Sequence, residues 1–382
     1  MAAGKGTRIF PLSLIIPKPL IKVANKTILE HNLDNLIGIV DEVIIIVNYK
    51  KEKIIDFFGN YYKGMNLKYA IQKETKGTAN ALNAAKDFIK SDFLVVSGDD
   101  LYSRKDIEQL TKYKNALSVQ YKQDPSTFGV IEFDKNNNNQ VLNVVEKPDT
   151  FVSNYVNIGL YKLTKEIFPI LENLTLSKRG EYELTDALKI LAINNQLTAH
   201  IVTGYWIPIG YPWQILEASK YLLENKKENI IKGKINKTVQ ITGNLSLGHN
   251  SSINNDVILD GNILIGNNCT IENNVFIKGN CSIANNSKIS KGTIITNSSI
   301  GSNVKIEENC HIHDSVIGDN SHILSNIKTH NTNGGETIKI HSNGKIFDSK
   351  KEKLGAFISA NSKVENNLES GECYCKDKIT KK

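Results

Sequence analysis

From residue 241 an aliphatic side chain recurs at every sixth position: Ile241, Leu247, Ile253, Leu259, Ile265, Ile271, Ile277, Ile283, Ile289 and Ile295. After a one-residue slip the series continues at Ile300, Ile306 and Ile312, and after another at Ile317 and Ile323. A period of six matches neither an α-helix nor a simple strand. It marks a parallel β-helix, in which three hexads, about 18 residues, close one triangular coil. The aliphatic residue of each hexad points inward, and Asn, Gly and Asp turn the corners. A second small or apolar residue often stands two positions earlier, as at Val257, Ile263, Cys269, Cys281 and Cys310. These three cysteines are therefore expected to fill inward positions as small hydrophobes. Cys373 and Cys375 lack the second pair that a zinc site needs. The register fails from about Ser325 to Lys353, an expected excursion loop. Leu354 to Ile358 and Val364 then resume one partial coil.

The first 225 residues read differently. Val43–Val47 and Phe93–Val96 are continuous apolar runs, as in strands buried on both faces. Helical patterns alternate with them, notably Gly77 to Phe88, and further strands are expected at 129–133, 141–146 and 157–163. Such alternation predicts an α/β domain with a mostly parallel sheet. The expected organisation is a domain over 1–228, a β-helix over 236–367 and a polar tail over 368–382.

A net charge of +7 suits an anionic substrate. The Lys pairs are scattered rather than clustered, so no nucleic-acid partner is expected. The richest apolar stretch, Leu36 to Val47, is interrupted by Asp41 and Glu42 and is too short to span a bilayer, so no membrane partner is expected. No apolar leader is visible, and none of the five cysteines precedes residue 269. Those features predict a cytoplasmic protein without a disulfide framework.

Two constellations carry chemistry. Gly4-x-Gly6 lets backbone N–H groups approach phosphate, and it is followed by Arg8 and by Lys18 between two prolines. Two cations beside a glycine loop suit phosphoryl or nucleotidyl transfer, where charge builds on phosphate oxygens. Ser97-Gly98-Asp99-Asp100 closes the run Phe93–Val96. Carboxylates at the carboxyl end of a buried strand lie at the ligand-binding edge of such a sheet, and Asp99 has the hard oxygen that Mg²⁺ prefers.

Ala2-Ala3-Gly4-x-Gly6-Thr7-Arg8, with Pro17-Lys18-Pro19-Leu20, resembles the signature of the sugar-1-phosphate nucleotidylyltransferases. The stretches Gln72 with Gly77-Thr78-Ala79, Gly98-Asp99, Phe128-Gly129-Val130, Glu146-Lys147-Pro148, Asn157-Ile158-Gly159, Glu181 to Asp186 and Gly210-Tyr211-Pro212-Trp213 follow in the family's order. The resemblance implies a Rossmann-like nucleotidyltransferase domain that joins a nucleoside triphosphate to a sugar-1-phosphate. UTP or dTTP is the expected nucleotide, and pyrophosphate is released. It assigns catalysis to Arg8, Lys18 and Asp99, and nucleotide binding to Ala3, Gly4, Gly6, Thr7, Gln72, Gly77 and Thr78. Gly129, Glu146 and Asn157 would hold the sugar. Asp99 would hold Mg²⁺, with Asp100 as a second candidate. The fusion to a left-handed parallel β-helix resembles archaeal bifunctional sugar-phosphate enzymes, which implies a homotrimer and a second, acetyl-CoA-dependent activity. His311, Asn326 and Lys353 are the candidates for acetyl transfer.

Two departures stand out. The family has a strand ahead of the glycine loop, whereas this sequence opens on the loop, apparently lacking the first strand. A start codon set too far downstream is the expected reason. Many relatives also carry Trp-x-Asp-x-Gly where this chain has Trp206-Ile207-Pro208-Ile209-Gly210, which removes a metal ligand. Three functions therefore remain open: a nucleotidylyltransferase, a bifunctional enzyme that also acetylates, and a non-catalytic nucleotide-sugar-binding regulatory subunit.

Overall fold

A computed structural model describes residues 1–226, 229–342 and 344–375. The chain divides into two compact units. One comprises Met1–Gly4 and Ile28–Pro208, and the other Lys5–Thr27 and the chain from Ile209 onward. The expected boundary at residue 228 and the stretch from 376 lie outside the described residues.

The first unit alternates helices with strands. In chain order these are α1 (Ile28–Leu36), β1 (Glu42–Val47), α2 (Lys51–Phe58), β2 (Met65–Ile71), α3 (Thr78–Asn83), β3 (Phe93–Val96), β4 (Leu101–Tyr102) and α4 (Arg104–Leu110). Then come β5 (Ala116–Tyr121), β6 (Gly129–Asp134), β7 (Gln140–Glu146), β8 (Tyr155–Leu163), α5 (Ile167–Glu172), α6 (Leu184–Ile193), β9 (Thr198–Ile201) and β10 (Trp206–Ile207). A six-stranded sheet runs in the order β3-β8-β5-β9-β7-β6. Its core of Val95, Leu117, Val119, Ile131, Leu163, Leu188 and their neighbours is closed to water.

The sheet is mixed, not mostly parallel. Only β5 and β9 pair in parallel within it, while β8 runs antiparallel to both β3 and β5. The parallel pair β1–β2 belongs to a separate sheet, completed by the short antiparallel strand Tyr61–Tyr62. Runs such as Val43–Val47 report burial on both faces, and burial does not distinguish strand direction.

Between β1 and β3 lies a cavity of about 370 Å³ lined by Leu33, Ile44, Ile46, Leu82, Phe93 and Val95. Met1 and Ala2 bridge one end of the gap. The Met1 amino group donates to Val96 O at 2.7 Å, Gly98 N donates to Met1 O at 2.7 Å, and Ala2 N to Ile46 O at 2.8 Å. Burial pushes the Met1 ammonium down to about 6, against the pull of Asp99.

The second unit is built on a parallel solenoid. Strands one coil apart stack in register, as in Gln240–Leu247 on Ile258–Ile265 on Phe276–Ile283. Its core is the hexad series itself, Ile253, Ile271, Ile289, Ile306 and Ile323 among them, with Cys269, Cys281 and Cys310 inward as expected. Burial raises all three thiols, Cys281 to about 12. Ile241 is an exception at 44% exposure, because it lies on the first strand of its sheet. Asn250, Asn268, Asn286, Asn303 and Asn320 turn one corner with φ between 56° and 61°. Asparagine tolerates this left-handed region, and the side-chain amides hydrogen-bond from coil to coil.

The break in register starts later than the spacing implied. Ile327 is still inward, and Thr329 pairs with Leu368. The excursion that follows holds a hairpin of Lys339–Ser342 against Lys345–Asp348. More than one partial coil then returns. Leu368 joins the core and Cys373–Tyr374 pairs with Phe357–Ile358, so residues 368–374 are solenoid rather than polar tail. Helix α7 (Gln214–Glu224) and the segment 5–27 belong to this same unit. Lys22 Nζ is 2.6 Å from Asp319 Oδ2 and 2.8 Å from Ser302 Oγ, and Asn25 Nδ2 donates to Ile283 O at 2.8 Å.

Candidate active site

The sequence-predicted residues fall on both units, and each set has its own geometry. In the first unit β6, β7 and β8 bring the three sugar candidates together. A Cβ on Gly129 would stand 3.0 Å from Glu146 Oε2, 3.2 Å from Thr185 Cγ2 and 3.6 Å from Asn157 Cβ. Any side chain there would press on the Glu146 carboxylate and Thr185. Thr185 Oγ1 donates to Glu146 Oε2 at 3.3 Å. Arg179 Nη1 lies 3.4 Å from Glu146 Oε1 and 2.9 Å from Glu183 Oε1. Burial raises the Glu183 carboxyl, with Arg179 opposing. Thr185, Glu183 and above all Arg179 were absent from the predicted site. Arg179 beside Gly180, just ahead of Glu181 and Glu183, was the available signal.

Asn157 is tied to this edge by its own chain. Its Nδ2 donates to the Tyr161 hydroxyl at 2.9 Å and its Oδ1 accepts from Gly159 N at 3.1 Å. Gly159 has φ of 80°, and Ser97 N donates to its carbonyl at 3.0 Å. The Ser97–Asp100 turn therefore adjoins the sugar-side strand. Gly98 is required there, since a Cβ would meet Met1 O at 2.9 Å. Asp100 Oδ2 accepts from Trp206 Nε1 at 3.0 Å, which commits part of that carboxylate to its own unit. Pro208 brings no side-chain ligand atom. Among the described residues no group of three or more His, Cys, Asp or Glu is arranged to hold a metal ion. Mg²⁺ typically takes one or two carboxylates and completes its shell with water and phosphate. A single carboxylate such as that of Asp99, just past the strand end, has the chemistry for such a shell.

The base-side residues Gln72, Gly77 and Thr78 also come together. Gln72 is buried and its Nε2 donates to Gly77 O at 3.2 Å and Asn80 Oδ1 at 3.0 Å. Gly77, at φ 101°, is pressed against the Tyr182 backbone, where a Cβ would collide. The Thr78 hydroxyl accepts from Leu184 N at 2.9 Å. These contacts fix the start of α3. Ala3 is buried in the same unit, and Gly4 is exposed with open space where a Cβ would be.

Gly6, Thr7, Arg8 and Lys18 lie on the segment 5–27 of the second unit. Gly6 adopts φ of 60°, and a Cβ there would be 3.1 Å from Lys18 Cβ. The glycine loop and the Pro-Lys-Pro turn are thus in contact. Ser13 Oγ donates to Gly6 O at 2.7 Å. Lys18 is buried, whereas Thr7 and Arg8 are exposed.

The acetyl-transfer candidates have structural settings. Asn326, at φ 65°, turns a solenoid corner, and Lys353 bridges Thr332 on the return from the excursion. His311 lies beside His313, ring centroids 6.1 Å apart. Burial lowers both imidazoles, with Lys328 adding to the shift at His311. No helix among the described residues is long and apolar enough to cross a membrane.

The model of the nucleotidyl transferase family matches residues 1–225, and that of the GMPPB C-terminal domain matches residues 241–346. The chain is 43% identical over 255 residues to the "Bifunctional protein GlmU" of Methanococcus maripaludis, a match spanning 66% of this chain and 60% of that protein. It is 31% identical to the "Bifunctional sugar-1-phosphate nucleotidylyltransferase/acetyltransferase" of Sulfurisphaera tokodaii, over 66% of this chain and 62% of the relative. Among solved structures, UDP-glucose pyrophosphorylase complexed with UDP-glucose superposes with a TM-score of 0.55 at 24% identity, over 59% of this chain and 97% of that one.

Proposed function

Because the chain belongs to the nucleotidyl transferase family, whose model spans residues 1–225, we propose that it makes a nucleotide sugar from a nucleoside triphosphate and a sugar-1-phosphate. The observation that carries this reading is the meeting of Gly129, Glu146, Asn157 and Thr185 at one edge of the mixed sheet. Carboxylate, amide and hydroxyl groups around a position held open by glycine suit the hydroxyls of a sugar. In the reaction a phosphate oxygen of the sugar-1-phosphate bonds to the α-phosphorus. The α–β bridging bond breaks, and pyrophosphate leaves with its electron pair.

The roles assigned to the residues follow from their chemistry. Gly4 and Gly6 offer backbone N–H groups to phosphate. Arg8 joins them in cradling the triphosphate, and Lys18 neutralises the charge that builds on the α-phosphate oxygens as the bond order changes. Gln72, Gly77 and Thr78 flank the base, with UTP or dTTP as the nucleotide. Asp99 would hold Mg²⁺, which supplies charge neutralisation when bound. We place the enzyme in the cytoplasm, where both substrates occur, and assign it a homotrimeric state, measurable by light scattering.

Pyrophosphate release by the full chain, with UTP or dTTP and a panel of sugar-1-phosphates, tests this. Release with at least one pair is expected, falling at least about 100-fold in Lys18→Ala and Asp99→Asn. No release with any pair would instead favour a nucleotide-sugar-binding regulatory subunit. A second reading, acetyl transfer from acetyl-CoA to an amino-sugar phosphate, is favoured by His311, whose imidazole is held toward its neutral, basic form. Thiol release from acetyl-CoA with glucosamine-1-phosphate, lost in His311→Ala, is its expected sign.

A further inference from the structure

The solenoid excursion reaches the segment that carries Arg8. Ser342 is buried on one strand of the hairpin, and its Oγ donates to Phe10 O at 3.1 Å. On the other strand, the Phe347 ring lies 5.1 Å from that of Tyr211. Tyr211 is stacked flat on Trp213, centroids 4.6 Å apart and planes within 9°. Gln214 Oε1 fixes the turn beneath by accepting from Gly210 N at 2.6 Å and Tyr211 N at 3.0 Å. The Arg8 guanidinium carbon lies 5.5 Å from the centroid of Tyr211. All of these groups belong to one unit.

We propose that the hairpin of Lys339–Ser342 and Lys345–Asp348 is a positioning device that holds Arg8 ready for the triphosphate of the nucleotide. The proposal rests on the reading that Arg8 binds phosphate. An exposed arginine samples many rotamers, and ordering it costs binding free energy. An aromatic face within about 6 Å attracts a guanidinium and narrows that range. Tyr211 can serve only if its own ring is fixed, and Trp213 and Phe347 both pack against it. Ser342 holds the main chain two residues beyond Arg8. The solenoid resumes its register after the excursion, and the hairpin is anchored to it by Ile340, which is fully buried beside Gly371 of the last coil. Phe347 and Ser342 touch no substrate in this scheme and act through Arg8.

The test is equilibrium binding of UTP and dTTP to the full chain by calorimetry, with KM and kcat alongside. Arg8→Ala should weaken binding of the preferred nucleotide clearly. Phe347→Ala should weaken it about fivefold, in KM rather than kcat, and Phe347→Tyr should restore it. In the Arg8→Ala background, Phe347→Ala should add nothing further. Ser342→Ala is the milder second variant, should Phe347→Ala fail to fold, and it should raise KM in the same direction. Unchanged binding in the folded Phe347 and Ser342 variants, with Arg8→Ala impaired, overturns the proposal and leaves the function intact. An additive loss in the Arg8→Ala background overturns it as well. Wild-type affinity in Arg8→Ala instead sinks the assignment of Arg8 itself.

Discussion

At Asp106 a carboxylate lies 1% exposed on α4 while donors converge on it. They come from the Ser103 hydroxyl, His200 Nε2 at 3.3 Å, Thr203 N at 2.8 Å and Gly204 N at 3.0 Å. Burial works against the charged form, but these hydrogen bonds outweigh it and hold the carboxyl at about 2. The network pins 203–204, just ahead of β10, where Trp206 meets Asp100. A carboxyl whose folded value is depressed adds stability above its unfolded value of about 3.9 and loses it as pH falls toward 2. Asp106→Asn should therefore cost about 1–3 kcal/mol at pH 7, and the gap to wild type should narrow between pH 4 and pH 2. Urea unfolding at pH 7, 4 and 2.5 reads this directly, and a gap that stays constant with pH would refute it. Residues of this kind were hidden in the sequence. That Glu146, Gly129 and Asn157 come together could be anticipated because each sits in a short motif. Asp106 and Arg179 gain their roles only when loops distant in sequence close on them, and spacing does not encode that closure.

Elements divide along the same line. The six-residue period was legible because every hexad repeats one local decision, an aliphatic inward and an asparagine at a corner. Where the repeat was interrupted, only tertiary contact could show that Ile327 and Leu368 still point inward. Strand direction in the first unit was not legible either, since an apolar run satisfies a parallel or an antiparallel neighbour equally. The inward–outward alternation itself can be tested within neighbouring strands. Ile277 is fully buried, whereas Ile258 is 40% exposed. Ile277→Ala should cost about 2–5 kcal/mol by the loss of buried methylenes and the cavity left behind. Ile258→Ala should stay within about 0.5 kcal/mol. Guanidinium unfolding of both variants would expose a wrong register as two costs of similar size.

For the molecule as a whole, linear order misleads about what the glycine-loop segment belongs to. Residues 5–27 precede the mixed sheet in sequence, yet they form one compact unit with the solenoid. The reasons are particular contacts: Lys22 with Asp319, Asn25 with the Ile283 carbonyl, and Ala24 N with Ser219 Oγ at 3.3 Å. The Lys22 pair is partly screened by water and adds little alone. The hydrogen bonds to solenoid backbone and the burial of Leu12 and Ile21 do more to hold the segment. Removing the solenoid takes away all of these partners except Ser219. A fragment of residues 1–226 should then expose the peptide bonds after Lys22 and Lys26 to trypsin, while the full chain protects them. Limited digestion followed by mass spectrometry gives the order of cleavage. Early cuts at these lysines in the fragment and late ones in the full chain are expected. Equal protection in both would mean that the segment is held by the rest of residues 1–226, and that its placement with the solenoid contributes nothing to its order. Arg8 and Lys18 ride on this segment, so the same comparison asks whether these two cations need the β-helix to be in place at all.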